Sequence, residues 1–197
     1  YIDNLREARK VLVDQLSSTL AVVARDVKLQ VEFNPARVSE YRLLGFENRA
    51  LKREDFSNDK VDAGEIGAGH TVTALYEIVP TGAKGWLEPL RYAAEPKPQS
   101  KTDELAMLRV RYKPAAGGAS QLIERPVHNE STQASDDLRF SSAVAAFAQQ
   151  LKGDGRYTGN MSLQDTAALA RSALGDDPFG LRHEFVQLVE LAQSLKH

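Results

Sequence analysis

The seven residues Val27-Lys28-Leu29-Gln30-Val31-Glu32-Phe33 constrain the fold more than any other stretch. Apolar and polar side chains alternate strictly. A repeat of two places them on opposite faces of an extended chain. Val27, Leu29, Val31 and Phe33 are expected on a buried face, and Lys28, Gln30 and Glu32 towards water. Asn34-Pro35 ends the run, because proline has no N–H to give to a ladder. The chain must therefore build a sheet.

Upstream the period is helical. Leu5, Ala8, Val11, Leu12, Leu16, Leu20 and Val23 recur at spacings of three and four, which predicts a helix over 5–25. Asp3 or Asn4 caps it, Glu7 sits in its first turn, and Ser17-Ser18-Thr19 favours a break. Beyond Pro35, strands are expected near 39–48, 61–67, 70–80, 105–113 and 120–127. Gly45 reads as a bulge between Leu43 and Phe46. Residues 80–103 are broken by proline and glycine and predict a long loop, which carries Trp86 and Tyr92.

Helical spacing returns after Ser131. Ser135 or Asp136 opens a helix with Leu138, Ala143, Val144, Phe147 and Leu151 on one side. Ser162 and Asp165 form a capping box for a second helix, which Gly175 stops. Asp177-Pro178 starts a third, with the stripe Leu181, Phe185, Leu188, Leu191 and Leu195. These stripes read as core faces. Strands first and helices after give an α+β chain: an antiparallel β-sandwich of about six strands with an N-terminal helix and a C-terminal three-helix cap. The sandwich is expected over 27–130 and the helical cap, packed on it, over 131–197.

Composition removes several function classes. There is no cysteine in the 197 residues, so disulfides, thiolate nucleophiles and Cys-based zinc sites are excluded. A net charge of −2 gives no field to recruit nucleic acid or an anionic membrane, and no aromatic-basic stripe appears. No apolar run approaches the roughly 18 residues of a membrane span. The chain begins at Tyr1 without a signal peptide, so any address or anchor is expected upstream.

Candidate chemistry is sparse. His70, His128, His183 and His197 stand apart, with no His-Glu-x-x-His spacing. No Gly-x-Ser-x-Gly elbow exists. Gly64, Gly67 and Gly69 precede a strand rather than a helix, so they read as a turn, not a phosphate loop. The acidic stretch from Glu54 to Glu65 offers the oxygens a hard cation wants, and Asp55, Asp59, Asp62 and Glu65 are the metal candidates. It lacks the EF-hand order, and a solvated loop is the simpler reading. Neither a catalytic residue nor a cofactor is expected.

Several blocks stand in one order: YIDNLREARKVLVDQL, ARDVKLQVEFNPARVSEYRLLGFENRAL, DFSNDKVDAGEIGAGHTVTALYEI, LRVRYK, DDLRFSSAVAAFAQQL and DPFGLRHEFVQLV. With them the whole chain, Tyr1 to about Leu195, resembles the C-terminal region of bacterial von Willebrand factor type A proteins of the YfbK type. The resemblance implies that 1–26 are the tail of the A-type domain, with residues 5–16 as its last helix. The strands and helices after Asp26 would be the family's own C-terminal domain. Export is implied, often as a lipoprotein, to the periplasm or outer surface of the bacterial envelope.

The A-domain metal site uses Asp-x-Ser-x-Ser. The nearest match, Asp55-Phe56-Ser57-Asn58-Asp59, has Asp in place of the second Ser. That metal chemistry therefore does not carry over. The expected function is a non-catalytic accessory or interaction domain that supports protein or ligand binding. Its expected partners are the adjoining A domain and an envelope protein or glycan, with Trp86 and Tyr92 as candidate contact residues. The competing reading is a metal-dependent hydrolase using the acidic loop 54–65 and His70.

Overall fold

The computed structural model describes residues 8, 11, 21–45, 52–61, 63–88, 103–130, 133–153 and 159–195. Among them are six strands: β1 (Val22–Phe33), β2 (Val38–Leu44), β3 (Gly64–Gly67), β4 (Leu75–Pro80), β5 (Glu104–Pro114) and β6 (Gln121–His128). Three α-helices come after the strands: α1 (Asp136–Lys152), α2 (Leu163–Arg171) and α3 (Leu181–Ser194). The chain is α+β with antiparallel strands and helices towards the C-terminus, as the sequence patterns require. It divides into two compact units, one built on the strands and one on the helices.

The helix expected over 5–25 falls mostly outside the described residues, and its end needs correction. Val22 to Arg25 open β1, which is 12 residues long. β-Branched Val22 and Val23 suit an extended chain. Ala24 pairs with Ile66 of β3 on one side and Pro114 of β5 on the other. Two smaller corrections concern Gly45 and β4. Gly45 lies just past the end of β2 with φ +114° rather than inside a strand. β4 begins only at Leu75, and Thr71 to Ala74 are exposed and irregular.

One sheet has the order β3-β1-β5-β6, and β2 and β4 form a separate pair. The corner between β1 and β2 is pinned by Asn34. Its side-chain amide donates to the Glu104 carbonyl at 2.8 Å, and its Oδ1 accepts from the Ala36 N–H at 3.0 Å. This places Phe33 against the second sheet, with its ring centroid 4.4 Å from that of Tyr41 and 5.4 Å from that of Tyr76. Val38, Phe56, Val79 and Ala106 are buried in this unit.

In the helical unit the caps agree with the sequence. Ser135 Oγ accepts from the Leu138 N–H at 3.2 Å. Ser162 Oγ accepts from the Asp165 N–H at 3.1 Å, while Asp165 Oδ2 accepts from the Ser162 N–H at 2.9 Å. Two ends differ. α2 stops at Arg171, before Gly175, and α3 starts at Leu181 rather than at Pro178. Gly180, at φ +70°, occupies the N-cap, and Asp177 reaches in to accept from the His183 N–H at 3.0 Å.

α2 packs against both α1 and α3. Phe147, Leu163, Ala167 and Val189 form one buried cluster, and Ala143, Ala170 and Val186 another. Phe185 stands edge-on to Phe140 and Phe147, at 5.3 and 5.6 Å. Of the expected stripes, Ala143 and Phe147 are buried and Phe185 packs against them, but most of the leucines and Val144 are corrected. Leu138, Val144 and Leu151 of α1, Leu188 and Leu191 of α3, and Leu195 at its C-cap are exposed. The small, closely packed alanines of α1 and α2 fix which side of each helix is covered, and that side is rotated from the leucines. Among the described residues no helix is long and apolar enough to cross a membrane.

Candidate functional site

β1 carries an irregularity that alternation alone does not reveal. Arg25 faces Lys113 of β5 and Lys28 faces Arg111, so Asp26 and Val27 together occupy the place opposite the single residue Tyr112. This is a β-bulge, a feature that bends a strand and re-aims side chains. Asp26 adopts φ +53°, the only positive φ at a non-glycine position among the described residues. Aspartate tolerates the left-handed region better than most residues, because its short side chain can bond locally.

Just after the bulge the expected burial is reversed at two neighbouring positions, while Glu32 stays exposed and Phe33 half-buried as the alternation requires. Lys28, assigned to water by the alternation, is 1% exposed, and Leu29, assigned to the core, is 49% exposed. A buried ammonium must be matched by acceptors, since an unpaired buried charge is heavily penalised. Lys28 Nζ donates to the Asn58 carbonyl at 2.6 Å and lies 3.3 Å from Asp26 Oδ1. On its other oxygen Asp26 meets Lys113 Nζ at 3.0 Å. Asp26 Oδ1 is itself buried without a hydrogen-bond donor, although Lys28 stands beside it.

Asn58 belongs to the acidic stretch prominent in the sequence. Residues 52–61 begin with a short 3-10 turn, Arg53–Asp55, followed by the buried Phe56. Asp59 sits beyond it. Its Oδ1 accepts from Ser120 Oγ at 2.7 Å and from Arg111 at 3.1 Å, and its carbonyl accepts from Lys113 at 3.1 Å. The Ser120 hydroxyl, with Arg111 and Lys113 behind it, holds the Asp59 carboxyl below the ordinary aspartate range. Glu65 of β3 pairs with Arg25 at 3.9 Å.

These groups surround an open depression of about 310 Å³ lined by Arg25, Asp26, Asp59, Lys60, Glu65 and Lys113. Its chemistry is that of interleaved opposite charges. Among the described residues no group of three His, Asp or Glu side chains converges to hold a metal. Of the sequence candidates, Asp59 and Glu65 meet here and each faces a cation. Asp55 is half-buried on the 3-10 turn, and Asp62 lies outside the described residues. His70 is exposed, with its backbone N–H bound to the Gly67 carbonyl. Trp86 is half-buried and Tyr92 lies outside the described residues.

Asp26 and Lys28 are not evident as site residues from the sequence. The available signal is an aspartate at the head of a β-branched run, since strands are depleted in aspartate. A second pair is equally hidden. Asp177, with only 7% of its side chain exposed, accepts from His183 Nδ1 at 2.8 Å as well as from the His183 backbone. Burial pushes its carboxyl up, but these bonds outweigh it and leave Asp177 below the ordinary range. Farther along the face of the large sheet that carries Lys28, Arg109 bridges Glu32 and Glu124, both at 2.8 Å.

Comparison with known proteins gives two matches. A family model described as "Uncharacterized protein YfbK, C-terminal" matches residues 18–195. The "Uncharacterized protein YfbK" of Escherichia coli (strain K12) is 47% identical over 197 residues, covering 99% of this chain and 34% of the relative. The chain thus spans about a third of that curated relative's length. No solved structure matches the chain.

Proposed function

The chain belongs to the YfbK C-terminal family, and from that membership we propose a non-catalytic interaction domain within a longer protein. Its partner is the adjoining von Willebrand A-type domain, and its setting is the bacterial envelope, where it supports binding of a protein or glycan. The observation that carries the reading is the row Leu188 and Leu191 on α3 with Leu195 at its C-cap, which is exposed at spacings of three and four. Apolar side chains gathered on one helix face are a contact surface. Two further points support it. The relative is much longer than this chain, and the carboxylates at the depression face cations rather than an open coordination site.

The test separates the protein at the domain boundary. This chain and the preceding part of the full-length product are made as two polypeptides and titrated together by calorimetry. Saturable association that Leu191→Asp weakens supports the reading. No association between the wild-type parts sinks it.

A further inference from the structure

We propose that the depression beside the Asp26 bulge binds a small oxyanion, gripped by Lys60 and Arg25 with Lys113 behind them. The inference is independent of the apolar row on α3. Four observations meet at this one place: a bulge, a non-glycine residue at positive φ, a fully buried lysine, and a depression lined by charged side chains. Strained backbone and bulges concentrate at ligand sites because the surrounding structure must hold them against their preference.

The sign of the ligand is set by which groups remain available. Asp26 is neutralised by Lys28 and Lys113, and Asp59 by Arg111. A cation entering the depression would meet carboxylates already matched. The end left without an ion pair is positive. Lys60 has no ion pair among the described residues, and Arg25 reaches Glu65 only at 3.9 Å with both side chains more than half exposed. The lining itself is balanced, with Arg25, Lys60 and Lys113 against Asp26, Asp59 and Glu65, and Lys28 and Arg111 behind it bring an excess of two positive charges. A tetrahedral or planar oxyanion has enough acceptors to bridge an ammonium and a guanidinium, and charge-assisted bonds of that kind are the strong ones. The same chemistry is presented by a free phosphate and by a phosphorylated lipid headgroup.

The experiment is an amide NMR titration of the whole chain with potassium phosphate, at ionic strength held constant with chloride. Saturable shifts confined to the neighbourhoods of Arg25, Lys60 and Lys113 are expected. Lys60→Ala should weaken the affinity about tenfold, the loss of one charge-assisted bond. Arg25→Ala provides a second variant, and both positions are exposed enough to leave folding intact. Sedimentation with phosphatidylglycerol vesicles, against phosphatidylcholine vesicles, forms the second arm. Binding of free phosphate assigns a soluble ion, and vesicle binding that Lys60→Ala abolishes assigns a headgroup. Shifts spread over all exposed lysines without saturation, together with no difference between the vesicles, overturn the proposal.

Discussion

Lys28 and Asn58 stand 30 residues apart in sequence, yet the ammonium of one donates to the carbonyl oxygen of the other at 2.6 Å. The contact fastens residues 52–61 to β1, and Lys113 repeats it on the Asp59 carbonyl. Lys28→Ala removes the cation and leaves the Asn58 carbonyl with only the Val61 N–H and Asp26 with one cationic partner. Breaking a buried pair costs about 3–5 kcal/mol. The lower figure is expected here, because Lys113 still faces Asp26. Urea denaturation reads this directly, and a midpoint equal to wild type would show that the buried lysine contributes nothing.

Acid should unfold the protein through a small set of aspartates. Asp59, Asp165 and Asp177 are all held below the ordinary range in the folded chain. A carboxyl with a depressed folded value adds stability above its unfolded value, and this is lost as pH falls through the folded one. Urea midpoints should therefore be level from neutrality to about pH 5 and decline below about pH 4. Asp59→Asn lowers the neutral midpoint and flattens the acid decline. An acid limb identical to wild type in that variant would mean that Ser120 and Arg111 do not stabilise the Asp59 anion.

Lys28 and Asp59 mark where the sequence stops being legible. The caps are legible, because Ser135 and the Ser162–Asp165 box act through backbone groups within one turn. Strand existence is legible from alternation and from Pro35. The sense of β1 is not. Alternation shows which side chains share a face, but residues 52–61, fastened over Lys28, decide that the polar face is covered there, and a period of two cannot show that. The charge cluster shares this limit. Asp59 is visible as an acid, but its partners Arg111, Lys113 and Ser120 lie on another hairpin, more than 50 residues away. The α3 leucines mislead for a related reason. Helical spacing defines a face, and only packing decides which of two neighbouring faces is buried.

The α2 cap gives a local check that is independent of charge clusters. Ser162→Ala removes the hydroxyl that accepts from the Asp165 N–H and should cost about 1 kcal/mol. Ser162→Asp restores an acceptor at the same place, but sets a second carboxylate beside Asp165, so it should recover only part of the loss. Thermal unfolding that is unchanged in the alanine variant would show that the cap is formed but not limiting.

The α3 rows make the sharpest test, because adjacent residues should behave oppositely. Val189 is fully buried within the cluster of Phe147, Leu163 and Ala167, whereas Leu188 next to it is 52% exposed. Phe147→Ala should destabilise by about 3–5 kcal/mol and Val189→Ala by about 2 kcal/mol, since each leaves a cavity among close-packed neighbours. Leu188→Ser and Leu191→Ser should stay within about 0.5 kcal/mol of wild type, as surface changes do. The two serine variants should also be more soluble in the isolated chain, because they break an exposed apolar row. If the leucine variants instead unfold the chain as readily as Phe147→Ala, the row is part of the core. It then has no contact surface to offer, and the interaction reading of α3 loses its main support. If stability holds while calorimetric association with the proposed partner domain is lost, the same side chains are dispensable for folding and required for assembly.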